Sequence, residues 1–126
     1  MIAQSAAAQA AYARPEAPQR NPRALEYDLL ARATKALTLA MHEDGPRYGR
    51  LLAALDENQR LWSTLAADVA EPGNGLPQKL RAQLFYLYEF TALHSRAVRD
   101  KGASVEVLID INTAVMRGLR GQGAVT

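Results

Sequence analysis

The chain contains no cysteine, which excludes disulfides, thiolate metal sites and a cysteine nucleophile. Its two histidines, His42 and His94, lie far apart, and neither stands at metal-ligand spacing to another histidine or to a carboxylate pair. Aromatic residues make up only 6%, so a few large side chains must do most of the packing, and Trp62 is the one tryptophan. No apolar run approaches the roughly 18 residues that a membrane span requires. β-branched residues are sparse, and no segment alternates apolar and polar side chains with the period of a strand. The favoured class is therefore all-α.

What is present fits one domain. At 126 residues and 48% hydrophobic composition the chain can bury a single core, though much of the apolar fraction is alanine. Residues 1–23 carry three basic and one acidic residue, residues 24–75 five and eight, and residues 76–126 seven and four. These segments run +2, −3 and +3, which suits intramolecular pairing at least as well as a partner. No run of five or more like charges occurs, so the pattern carries no nucleic-acid signal. MIAQSAAAQAAYARP lacks a basic n-region and a leucine-rich core, so no secretory signal is read; an amphipathic transit peptide is the alternative. A soluble, cytoplasmic protein is expected.

The alanine-rich residues 3–13 suit a short helix, and Pro15, Pro18 and Pro22 make 14–22 a tether. The leader, 1–21, is expected to be mobile or to dock late. From the Asn21-Pro22 cap a helix runs to about Glu43, with Leu25, Leu29, Leu30, Ala33, Leu37, Ala40 and Met41 at three- and four-residue steps. Asp44-Gly45-Pro46 ends it. A second helix covers roughly 46–70, with Tyr48, Leu51, Leu52, Leu55, Trp62, Leu65, Ala66 and Val69 in register. The third, about 77–101, contains LFYLYEFTAL with Glu89 as its single charge, and is predicted to be the central helix. Gly102 stops it, Ser104 caps the last helix, and Leu108, Ile111, Val115 and Leu119 line up there. The prediction is a compact bundle of four antiparallel helices over 22–119, with an N-terminal appendage and a frayed tail at 120–126.

No catalytic constellation emerges. His94-Ser95 are adjacent on a helix and point about 100° apart, which places them poorly to share a proton. His94 reads instead as a capping or interface residue near a helix C-terminus. PGNG (72–75) follows a helix and lacks the Gly-Lys-Ser/Thr ending of a phosphate loop, so it is a turn. No cofactor or metal is implied, and the chain does not read as an enzyme.

Polar residues that interrupt apolar stripes are more informative. Asn58 and Gln59 occupy positions on the second helix where the stripe should be apolar, one turn before Trp62. Asn112 continues the line of Leu108, Val115 and Leu119, and a buried asparagine needs hydrogen-bond partners. Trp62 is expected to face inward. Asn58 either ties its helix to the PGNG turn or to the last helix, or awaits a partner's backbone. Asp68 and Glu71 lie at the negative end of their helix, where a carboxylate is mildly unfavourable unless Lys79 or Arg81 pairs with it.

The ordered set of motifs resembles the FlaF family, small flagellar biosynthesis regulators of alphaproteobacteria. It comprises Asn58, Leu61-Trp62, Leu65 and Asp68; Pro72, Asn74, Leu76-Pro77, Leu80, Ala82 and Leu84; His94; and LIDIN (108–112) with Val115-Met116 and Gly118-Leu119. Tyr12 and PRALEYDLLARATKAL (22–37) extend it, so that it covers about 12–119. The leader is longer and richer in alanine, and LFYLYEF more aromatic, than the family pattern.

The resemblance implies a non-enzymatic protein that binds newly made flagellin and promotes its production, export and filament assembly in the manner of a secretion chaperone. It further implies a functional link to a second regulator, FlbT. A groove beside the second and last helices would take a terminal helix of flagellin, with Asn58, Leu61, Trp62, Asp68 and Asn112 as the partner-binding residues. Two other readings stand beside it. One is contact with flagellin mRNA through Lys79, Arg81, Arg96, Arg99 and Lys101, the other a purely structural helix-bundle protein.

Overall fold

The computed structural model describes the backbone of residues 22–42 and 48–125, and the side chains of 24–42 and 48–119. The leader at 1–21, the Asn21 cap and the Asp44-Gly45-Pro46 break lie outside the described residues. Four helices follow in order: α1 Pro22–His42, α2 Tyr48–Ala70, α3 Gln78–Lys101 and α4 Glu106–Val125. No strand occurs among the described residues, and the all-α bundle expected from the periodicity is the observed fold.

Local chemistry sets the boundaries. Gly102 ends α3 at φ 69°, the left-handed region that glycine enters without a Cβ penalty. Beyond it the Ala103 N–H donates to the Ala97 carbonyl at 3.1 Å, which the Gly102 N–H also reaches, and the chain turns away there. Ser104 Oγ then accepts the Glu106 N–H at 3.1 Å and caps α4, whose first turn places the Glu106 carboxylate at its positive end. α4 continues to Val125, beyond the Leu119 at which the tail was predicted to fray. Gly121 and Gly123 lower helix propensity there by about 1 kcal/mol each, yet still donate their backbone bonds, as proline would not.

Each helix buries one face. α1 packs along both α2 and α4, and α2 packs along α3. α3 and α4 approach each other over only a short stretch, and the pairs α1/α3 and α2/α4 stand on the diagonals. The core falls into two clusters. One, near the α3–α4 turn, draws fully enclosed residues from all four helices: Leu37, Ala40, Ala54, Leu55, Val98 and Leu108. The other encloses Leu30, Trp62 and Leu65, all from α1 and α2, while α3 and α4 add only partly buried side chains around them.

The prediction that α3 is the central helix is overturned. Its enclosed residues are Thr91, Ser95 and Val98, whereas Phe85, Tyr86 and Leu93 are 40%, 65% and 63% exposed. Its apolar residues wrap around the helix instead of forming a stripe, and a helix with one close neighbour can cover only one face.

Candidate functional site

Between the two clusters every helix turns polar at the same level. Thr34 lies between Leu30 and Leu37 on α1, and Asn58 between Leu55 and Trp62 on α2. Thr91 and Ser95 precede Val98 on α3, and Asn112 lies between Leu108 and Val115 on α4. Asn58, Thr91, Asn112 and Trp62 are all fully buried.

Asn112 is the hub. Its Oδ1 accepts the indole N–H of Trp62 at 2.9 Å, and its Nδ2 donates to Asn58 Oδ1 at 2.7 Å and to Thr34 Oγ1 at 3.1 Å. Both amide hydrogens and the carbonyl are thereby used, which leaves no unmet donor on this residue. Thr34 passes the chain on by donating to the Leu30 carbonyl at 2.6 Å. A bond across the α2/α4 diagonal forms only when α1, α2 and α4 share one register, so the layer penalises any slip of one helix along another. Asn58 Nδ2 is buried without a hydrogen-bond partner among the described residues, a desolvation cost of about 1–3 kcal/mol.

α3 is tied to this layer weakly. Thr91 donates to its own helix at the Tyr88 carbonyl, 2.8 Å, and Ser95 reaches Gln59 Oε1 only at 3.4 Å. The firm attachment lies at the turn. There His94 Nε2–H donates to the Ser104 carbonyl at 2.7 Å, with its ring stacked on Phe90 at 5.8 Å between centroids.

Above that attachment α3 and α4 diverge and leave an apolar seam. On α3, Ser95 and Ala92 belong to the side beside α2, where they line a cleft of about 330 Å³ with Leu52, Leu55 and Gln59. The opposite side, carrying Leu87, Phe90 and His94, faces α4. On α4, Met116 Sδ lies 3.9 Å from Thr34 of α1, so Ile111, Val115 and Gly118, on the other side of the helix, face α3. Leu87, Phe90, Ile111 and Val115 are all partly exposed. α2 and α4 stand on a diagonal of the bundle, whereas the seam between α3 and α4 is open.

The five candidate partner-binding residues therefore separate. Asn58, Trp62 and Asn112 meet in one buried network, and Leu61 packs beside the Trp62 cluster. Asp68 lies about 15 Å beyond Asn58 along α2. It is exposed and accepts the Asn74 side-chain N–H at 3.2 Å, on both its carboxylate and its backbone carbonyl. Asn74 Oδ1 in turn accepts the Leu76 N–H at 3.0 Å, so Asp68 and the PGNG segment together fold the α2–α3 turn. An amide, not Lys79 or Arg81, answers the carboxylate. Thr34 was missed, although its place between Leu30 and Leu37 on an apolar stripe is the signal that drew attention to Asn112.

The basic residues of α3 form no single patch. Lys79 and Arg81 sit at its start and Arg96, Arg99 and Lys101 at its end, about 25 Å apart along the axis. Arg99 Nε pairs with Asp100 at 3.3 Å, and Arg81 Nε is buried. No group of three side chains able to hold a metal ion occurs among the described residues, and none of their helices is long and apolar enough to cross a membrane.

Fold and site together define a small helical bundle whose interior polar groups join helices to one another and whose open seam is apolar. The sequence pattern of the family described as Flagellar protein FlaF matches residues 8–119. The chain belongs to that family. No curated protein sequence and no solved structure matches it.

Proposed function

We propose that this flagellar protein binds newly made flagellin through the α3–α4 seam and promotes its production, export and assembly into filaments. It would act in the cytoplasm as a non-catalytic, secretion-chaperone-like factor, with FlbT as a functional counterpart. The observation that carries this reading is the seam itself. Leu87 and Phe90 on one wall and Ile111 and Val115 on the other remain partly exposed because two neighbouring helices diverge. An amphipathic helix laid between them would cover the apolar surface that α3 and α4 leave partly exposed. Terminal helices of flagellin, which self-associate through apolar faces before export, have that character.

Within this reading Asn58, Trp62 and Asn112 hold the walls in register from behind and do not touch the guest. The test is titration of full-length and terminally truncated flagellin into the protein by calorimetry. Full-length flagellin should bind, deletion of one terminal helix should abolish binding, and Val115→Glu should weaken it at least about tenfold by placing a charge in an apolar contact. Binding of equal strength by Val115→Glu, or no complex with any flagellin, would overturn the proposal.

A further inference from the structure

We infer that the solvent-facing side of α3 is an interface to a second copy of this chain, with the two α3 helices antiparallel across a two-fold axis near residue 91. The starting observation is a stripe on the side of α3 turned away from the rest of the bundle. Ala82, Tyr86, Glu89, Leu93, Arg96 and Asp100 are all exposed. They follow one another at alternating steps of four and three, the spacing of a coiled-coil seam. Tyr86 and Leu93 are more exposed than any other large apolar side chain among the described residues. This is a different surface from the α3–α4 seam, whose wall on α3 is Leu87 and Phe90, and the inference needs no flagellin.

What identifies the occupant is the order of charges along the stripe. Glu89 and Arg96 make no ion pair or hydrogen bond among the described residues. They stand about 10.5 Å apart along one helix, too far to answer each other. A second copy reversed about residue 91 changes this, because position 89 then lies opposite 93 and position 86 opposite 96. Glu89 comes within about 4.5 Å, measured along the axis, of the partner subunit's Arg96, which suits a charge-assisted hydrogen bond. The Tyr86 ring lies level with the same guanidinium, where a cation over an aromatic face is attracted. The two Leu93 side chains flank the two-fold, and each covers the aliphatic stem of the Glu89 across from it. Further out, Asp100 lies about 4.5 Å along the axis from the level of the partner subunit's Lys79. Every contact occurs twice, as an isologous interface requires. A parallel pairing would instead set Glu89 against Glu89 and Arg96 against Arg96, so the charges select the antiparallel one.

One helical face is a small interface, so the dimer should be half-formed on the order of 10–100 µM, and sedimentation velocity of the full chain across that range measures it. Glu89→Arg and Arg96→Glu, each alone, should weaken dimerisation at least about tenfold, because each sets like charges against one another. Leu93→Glu should weaken it at least as much. An equimolar mixture of Glu89→Arg and Arg96→Glu should recover most of the wild-type dimer, since every arginine at these positions then faces a glutamate. All three positions are exposed, so helix content by circular dichroism should stay at the wild-type level and separate loss of pairing from loss of fold. A wild-type chain that remains monomeric throughout the range would overturn the proposal. So would single variants that dimerise as tightly as the wild type, or a mixture that pairs no better than either variant alone.

Discussion

The two halves of the bundle are built from the same four helices and packed in opposite styles. At the α3–α4 turn, all four helices contribute enclosed apolar residues, from Leu37 and Leu55 to Val98 and Leu108. At the end where α1 begins, only α1 and α2 do, and the side chains of α3 and α4 stop at partial burial. The difference originates in the connection. Gly102, the Ala103–Ala97 bond, the Ser104 cap and the His94–Ser104 bond fasten α3 to α4 at one point, and among the described residues nothing comparable ties them further along. Between the halves lies the layer of Thr34, Asn58 and Asn112, which registers α1, α2 and α4 but barely engages α3. The molecule thus has three helices registered by a polar layer and a fourth that packs along α2 but approaches α4 over only a short stretch.

This contrast is broken most severely at Trp62. Trp62→Ala should cost about 3–5 kcal/mol, since it empties the largest enclosed site and strands the Asn112 carbonyl as well. Urea denaturation followed by circular dichroism measures it. A loss below about 1 kcal/mol would show that the open half contributes little even where α2 carries it. A matched pair sharpens the comparison further. Leu108→Ala, in the closed half, should cost about 2–5 kcal/mol, whereas Val115→Ala, on the seam, should cost less than about 1.5 kcal/mol because water already reaches it. Equal losses would show that the seam is closed in solution. A small effect is also expected at the α3–α4 turn. Gly102→Ala should cost about 1–2 kcal/mol from the left-handed backbone alone, since a Cβ there meets nothing within 4 Å. It should also speed amide exchange in the residues that follow, 103–106.

Much of this was legible in the residues. The helix boundaries at Pro22, Gly102 and Ser104 follow from local chemistry, as does the inward face of Trp62. Asn112 was recognisable as a polar group on a packed side because three- and four-residue spacing reports facing directly. Its partners were not, because spacing along one helix says nothing of which helix lies across the core; of the options open for Asn58, the tie to the last helix is the one observed. The role of α3 was misread for a related reason. LFYLYEFTAL is apolar enough for a central helix, but composition measures how much a helix would gain from burial, not how many neighbours it has. Asp68 shows the same limit at short range, since Asn74, six residues on, answers it through a turn whose closure no stripe records.

By itself, then, the sequence determined four helices, their apolar faces and the polar residues that interrupt them, because backbone propensity and side-chain direction are local properties. Only the tertiary structure decided that Thr34, Asn58 and Asn112 meet in one layer, and that α3 and α4 part company beyond their turn. Those outcomes depend on which faces are apposed across the bundle, and apposition is a property of the packed helices together.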